Sequence, residues 1–242
     1  MAKKITFIAD SYDVVKSDDS SNPVPVSKTL PDWYKSADRY YKDPSGQNYK
    51  DPEGNNIHSW KSCPAMYDTM SAGYVFRTPC DIEFSKDSGI PKSKILSKKF
   101  ANFVQDRPPM PDFQVPYGYH DHHFAWYGEW AVKLPQGYSA IYTQPMNRYE
   151  LPFETTNGII DSDNVNLFGT VPFFLAKDWS GVLPKGTPFL QIIPFKRENW
   201  QSEYEYPDFM DIYKDNYENI KKYRTPKGGV YLNSVWNRRK YD

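Results

Sequence analysis

The chain has 242 residues, 30 basic and 30 acidic, and so carries no net charge. That balance excludes the electrostatic footprint of a general nucleic-acid binder, and no apolar run approaches the roughly 20 residues of a membrane-spanning helix. The hydrophobic fraction is only 39%, but 17% of the chain is aromatic and there are 21 prolines. Burial area therefore comes largely from rings, and short apolar runs between prolines favour all-β architecture with ordered, irregular loops.

The opening MAKKITFIAD has too short an apolar run for a signal peptide. Together with the lack of a membrane span, it leads us to expect a soluble protein of the cell interior or of something assembled there. Without a secretory context, Cys63 and Cys80 are expected as two reduced, buried thiols rather than a disulfide. They are not a C-x-x-C pair and offer no zinc or redox motif.

Lys4–Ala9 (KITFIA) reads as a strand and Ser11–Val24 as a polar loop. Thr29 to Lys35 suggests a short helix with Thr29 as N-cap and Pro31 in the first turn, pinned by Trp33 and Tyr34. Residues 37–57 are a turn-rich surface excursion in which DPSG and DPEG each predict a type I turn. Residues 62–70 are helix-compatible, and SAGYVFRTPCDIEF (71–84) alternates like a strand. Residues 85–113 include the basic run KSKILSKK (92–99), expected as a solvated loop or strand edge because acidic residues flank it.

Tyr117–Lys133 holds His120, His122 and His123. On a strand, His120 and His122 would share one face. With Glu129 they could hold iron or zinc, although a cupin-like site would need a further histidine downstream, and none follows. A polar strand end with imidazoles bonded to backbone or water is the favoured alternative.

The middle of the chain is the most regular. LPQGYSAIYTQPMNR (134–148), NGIIDSDN (157–164) and LPKGTPFLQIIPF (183–195) are short apolar runs bounded by turn residues, the pattern of strands and tight turns. Asp161 and Asp163 sit at an expected hairpin tip, where Asp-Ser-Asp-Asn is good turn chemistry. Near the C-terminus, Phe209, Tyr213, Tyr217 and Ile220 mark one face of a helix over Asp208–Arg224, acidic at its start and basic at its end. Pro226 and Gly228-Gly229 stop it, and the tail 230–242 is β-prone, then basic. No repeat, heptad array or low-complexity segment is expected.

In order, SAGY (71–74), LPQGYSAIYTQP (134–145), NGIIDSD (157–163) and GTPFLQII (186–193) resemble the motifs of the trimeric dUTPases and dCTP deaminases. The resemblance covers about half the chain. It implies a distorted antiparallel β-barrel or jelly roll, here with a C-terminal α-helix, in a homotrimer. It also implies that Asp161 occupies the position of the water-activating base, and that Gln191, Arg148, Gly158 and Asp163 lie where nucleotide would be held. Several positions depart from the pattern. Val75 stands where the first motif has Asp, Pro145-Met146-Asn147-Arg148 stands where the second has Arg-Ser, and Asn164 and Val165-Asn166 stand where the third continues with Tyr and Arg-Gly. TPKGG (225–229) only faintly echoes the fifth motif. VPFFLAKD (171–178) lacks the Glu that deamination needs. The whole chain also resembles an uncharacterised family of bacterial and phage proteins through Pro31-Asp32-Trp33 and Ile193-Pro194-Phe195-Lys196-Arg197.

A single domain is expected, with residues 1–60 an N-terminal strand and irregular extension, 61–198 the barrel core and 199–242 a helix and tail. The first reading of function is a non-catalytic structural or interaction protein, phage-encoded, in a virion or in the cytoplasm of the host cell. On that reading it needs no cofactor, and its partners are its own copies and other virion proteins. The second is a magnesium-dependent deoxynucleoside triphosphate pyrophosphatase, or a nucleotide binder, using Asp161. The third is a metal-dependent barrel enzyme using His120, His122 and Glu129. Enzyme activity is left open, with the balance towards none.

Overall fold

The computed structural model describes residues 3–10, 21–109, 112, 114–164, 169–223 and 235–242, with backbone only for 220–223. The loop at 11–20, Val165-Asn166, TPKGG and the β-prone residues 230–234 lie outside the described residues. The chain forms two compact units, one of Met1–Thr29, Ala72–Arg197 and Tyr241, the other of Leu30–Ser71, Glu198–Lys240 and Asp242.

The first unit is built from antiparallel strands. In chain order they are β1 (Thr6–Ala9), β2 (Val24–Pro25), β3 (Tyr74–Arg77), β4 (Ile82–Asp87), β5 (Ile90–Ile95), β6 (Val104–Arg107) and β7 (His123–Tyr127), then β8 (Trp130–Lys133), β9 (Tyr138–Thr143), β10 (Phe153–Thr155), β11 (Gly158–Ile160), β12 (Thr170–Leu175), β13 (Gly181–Leu183) and β14 (Pro188–Lys196). They form a five-stranded sheet β11-β9-β14-β3-β2, a four-stranded sheet β10-β12-β7-β6, a three-stranded sheet β13-β4-β5 and the pair β1-β8. The expected mainly β, antiparallel class is met. No sheet closes on itself among the described residues, so the strands make separate sheets rather than a continuous barrel wall.

β14 organises the five-stranded sheet. Its PFLQIIPFK is buried over its first five residues, and it pairs with β9 from Gln191↔Thr143 to Lys196↔Tyr138 and with β3 on its other side. Near the start of β3, Gly73 has φ +69°, and a Cβ there would lie 2.0 Å from the Ile192 carbonyl oxygen. Only glycine lets the chain enter the sheet so close to β14.

Aromatic rings fill the core. Trp126 stacks on Phe173 at 3.7 Å and 9°, and Phe153 and Phe189 close around it. Thr155 supplies the polar partner that a buried indole requires. Its hydroxyl accepts from Trp126 Nε1 at 3.1 Å and donates to the Phe189 carbonyl at 2.9 Å.

Two expected strands are shorter than the sequence suggests. The alternating run 71–84 breaks at Thr78–Asp81 into β3 and β4. β7 begins only at His123, so the period-two argument for His120 and His122 does not apply. The basic run lies on β5, an edge strand, and just after it.

In the second unit, α1 (Asp32–Ser36) starts after Pro31, not at Thr29, whose hydroxyl instead bonds the Val26 carbonyl at the end of a preceding 3-10 turn. Tyr34 is buried there, whereas Trp33 is exposed. α2 (Pro64–Ser71) and α3 (Phe209–Tyr223) follow. The amide of Met210 bonds the Asp208 carboxylate at 2.8 Å, so the acidic residue expected at the helix start also caps it. Phe209, Tyr213 and Tyr217 stack in series along one face.

The excursion between α1 and α2 contains a repeat that contradicts the expectation of none. Tyr41-Lys42-Asp43-Pro44-Ser45-Gly46-Gln47-Asn48 is followed by Tyr49-Lys50-Asp51-Pro52-Glu53-Gly54-Asn55-Asn56. Each copy closes the same turn, Gly46 N–H to Asp43 C=O and Gly54 N–H to Asp51 C=O, both at 2.9 Å. A ring of three backbone bonds then joins Tyr41, Tyr49 and Ile57. Both cysteines are free thiols, as expected, but only Cys80 is buried; Cys63 is exposed.

Candidate functional site

The NGIIDSDN segment forms β11 followed by a turn, closed by the Asn164 amide on the Asp161 carbonyl at 3.0 Å. β11 pairs with β9, and β9 with β14. This order brings the turn beside Gly137 and Ser139 at the start of β9 and Arg197 just beyond β14. The Arg197 amide bonds the Gly137 carbonyl at 2.9 Å, which continues the β9–β14 ladder by one step.

A closed polar network results. The Arg197 guanidinium meets Asp163 fork to fork, Nη1 to Oδ1 at 2.8 Å and Nη2 to Oδ2 at 2.5 Å. The Gly137 amide adds a third donor to Asp163 at 2.7 Å. Asp161 Oδ1 accepts from the Ser139 hydroxyl at 2.6 Å and lies 3.2 Å from Arg197 Nη1, which also donates to Ser139 Oγ at 3.1 Å. The Asp163 side chain is 1% exposed and that of Asp161 53%. The paired guanidinium, aided by the Gly137 amide, pulls the Asp163 carboxyl down to about 2. Reciprocally, the two carboxylates push the Arg197 pKa up. Asp163 is thus a fixed anion whose acceptor sites are occupied, the geometry in which paired ionic hydrogen bonds are strongest.

The other residues expected to hold nucleotide lie elsewhere. Gln191 is fully buried, its Oε1 accepting from the Met146 amide at 2.9 Å and its Nε2 donating to the Ala72 carbonyl at 2.8 Å. It staples the turn after β9 to the entry of β3. Arg148 follows the same turn, donating to the Thr29 carbonyl at 3.0 Å and pairing with Glu150. Along β14, Phe195, the partner of Ser139, lies four residue steps beyond Gln191. At the usual strand rise that is about 13 Å. The structure therefore brings Asp161 and Asp163 together with Arg197 at one end of β9 and β14, and Gln191 and Arg148 together at the other. Gly158 is exposed, with open space around its Cα.

The histidines and Glu129 are likewise apart. His120 donates its amide to the Leu175 carbonyl at 2.9 Å, and His122 donates its amide to Asp121 Oδ1 at 2.8 Å. Burial, then the charges of Lys86 and Lys177, lower the His120 pKa; burial, His122 and Arg107 lower that of His123. Glu129 lies at the β7–β8 turn, where burial and then Asp10 push its carboxyl up to about 7 against the pull of Lys99. Among the described residues no three His, Cys, Asp or Glu side chains gather as a metal would need. The expected set of His120, His122 and Glu129 is not assembled.

Sequence reasoning missed Arg197 and Ser139. The signal for Arg197 was present, as the last residue of Ile193-Pro194-Phe195-Lys196-Arg197 directly after the strongest strand. Ser139 sat unremarked inside LPQGYSAIYTQP.

No protein-family model matches the chain, and no curated protein does. Among solved structures it is similar to the native dUTPase of EIAV, at 12% identity over 57% of this chain and 88% of that one, with a TM-score of 0.32. A likeness this distant carries no argument about what this chain binds.

Proposed function

We propose that this is a non-catalytic structural or interaction protein, in which the Asp161–Asp163 turn is a latch that fixes β11 to the ends of β9 and β14. The observation that carries this reading is the fork-to-fork pair of Arg197 with Asp163, closed through Ser139 onto Asp161. A hydrolytic site needs its base and its phosphate-holding groups converging on one reacting centre. Within one copy of the chain, Gln191 and Arg148 instead bond backbone groups at the far end of the strands.

The aromatic surplus supports an interaction role as well as a core. Trp126, Phe153, Phe173 and Phe189 fill the interior, but Trp200, Tyr204, Tyr206, Phe209 and Tyr213 are exposed within fourteen residues. Large exposed aromatic patches mark contact surfaces. The motif order extends the proposal to a homo-oligomer, a trimer by that resemblance, and the likeness of Pro31-Asp32-Trp33 and Ile193-Pro194-Phe195-Lys196-Arg197 to bacterial and phage proteins extends it to the setting of a virion or its assembly in a host cell.

Half-exposed Asp161 keeps a second reading in view, a magnesium-dependent nucleotide pyrophosphatase. The test is incubation with each deoxynucleoside triphosphate and magnesium, scored for pyrophosphate. The expected result is no release above the rate without protein. Release that Asp161→Asn abolishes would overturn the proposal.

A further inference from the structure

Within the second unit, the contacts of an irregular C-terminal segment converge on two neighbouring residues of α2. Trp236 Nε1 donates to Asp68 Oδ2 at 2.9 Å, and Arg239 Nη1 reaches the same oxygen at 3.1 Å. Arg238 Nη2 donates to the Tyr67 hydroxyl at 3.1 Å, and its guanidinium lies 5.6 Å from the centre of that ring. The rings of Tyr67 and Trp236 pack edge to face at 6.1 Å. Residues 236–239 form no strand or helix, so the side chains of Trp236, Arg238 and Arg239 rather than a backbone ladder place these four residues on α2.

An aromatic anchor flanked by charge-assisted bonds is the usual chemistry of short-peptide recognition. We propose that the Tyr67–Asp68 face of α2 is a recognition site for short peptides of the Trp-x-Arg-Arg class, filled in the free chain by Trp236-Asn237-Arg238-Arg239. One carboxylate oxygen takes both the indole N–H and a guanidinium, and the neighbouring phenol takes the second guanidinium by edge and face. A peptide lacking either the indole or the arginines loses half of that pattern. Asp68 is 22% exposed but Arg239 is 65% exposed, and an ion pair so open to water is weak by itself. Occupancy by the chain's own segment then rests on the high local concentration that covalent connection supplies, which leaves the segment exchangeable. The inference does not depend on what the Asp161–Arg197 network does.

The test uses the full chain carrying Trp236→Ala, Arg238→Ala and Arg239→Ala, which removes every side-chain contact of the segment with Tyr67 and Asp68. It is titrated with a fluorescently labelled peptide of residues 235–242 and followed by anisotropy. Saturable binding is expected, about tenfold or more tighter than to the wild-type chain, whose site is filled. Adding Asp68→Asn to the emptied chain is expected to weaken binding by about tenfold or more, and Tyr67→Phe, which keeps the ring, by less. Circular dichroism checks that each variant is folded. Absence of saturable binding to the emptied chain, or binding unchanged by both Asp68→Asn and Tyr67→Phe, overturns the proposal. So does equal binding of a scrambled peptide of the same charge.

Discussion

Arg197 holds Asp163 with two parallel bonds, although 33 positions separate them in the chain and neither belongs to a strand. The pair fixes where β11 ends against the β9–β14 ladder, and it makes acid sensitivity predictable. Asp163 titrates near 2 when folded, below the ordinary value of about 3.9 for the unfolded chain. A depressed acid contributes stability that is present above about pH 4 and lost as pH falls through about 2. Arg197→Met is therefore expected to unfold at lower urea than wild type at pH 7, with the gap closing between pH 4 and 2. Urea midpoints across that range check it, and a gap independent of pH would show that the pair contributes nothing through charge.

Gln191 ties the turn after β9 to the entry of β3. Its side chain is fully buried and bonds two backbone groups, the Met146 amide and the Ala72 carbonyl. Gln191→Ala leaves both without that partner and opens a cavity. The two backbone groups are half-buried, so each left without this partner costs towards the lower end of about 1–3 kcal/mol, and with the cavity a loss of about 2–4 kcal/mol is expected from chemical denaturation. Asp161→Asn, at a half-exposed position, should cost less. A Gln191→Ala chain as stable as wild type but altered in nucleotide binding would make Gln191 a ligand-holding residue instead of a staple.

What the sequence revealed follows from how local each signal is. α3 was readable to within a residue at each end, because its aromatic period and the acidic and basic residues at its two ends lie within one segment. The Asp-Ser-Asp-Asn turn was readable for the same reason. The Arg197–Asp163 pair was not, because it depends on β9 and β14 aligning Gly137 with Arg197, and no period along the chain encodes that register. His120 and His122 misled because their spacing assumes a strand that begins only at His123. The tandem octapeptides were fully local, yet Ser45 against Glu53 and Gln47 against Asn55 disguised them as two unrelated turns. Their common Tyr-Lys-Asp-Pro and glycine positions carry the shared geometry.

Glu129 responds to pH in the opposite sense to Asp163. Burial raises the Glu129 carboxyl to about 7, with Asp10 adding to the shift. The unfolded value is about 4.3, so the folded chain holds this proton more tightly than the unfolded one. Stability from Glu129 is then fully present below about pH 4 and lost as pH rises through about 7. Glutamine mimics the protonated acid, so Glu129→Gln should match wild type near pH 4 and exceed it at pH 8. The full shift would be worth more, but the side chain is partly open to solvent, and screening reduces the expected gain to about 1–2 kcal/mol. Urea denaturation at pH 4, 6 and 8 resolves a difference of that size. If the variant gains nothing at pH 8, the carboxylate is solvated or paired well enough to stay charged, and the β7–β8 turn carries no stored electrostatic cost.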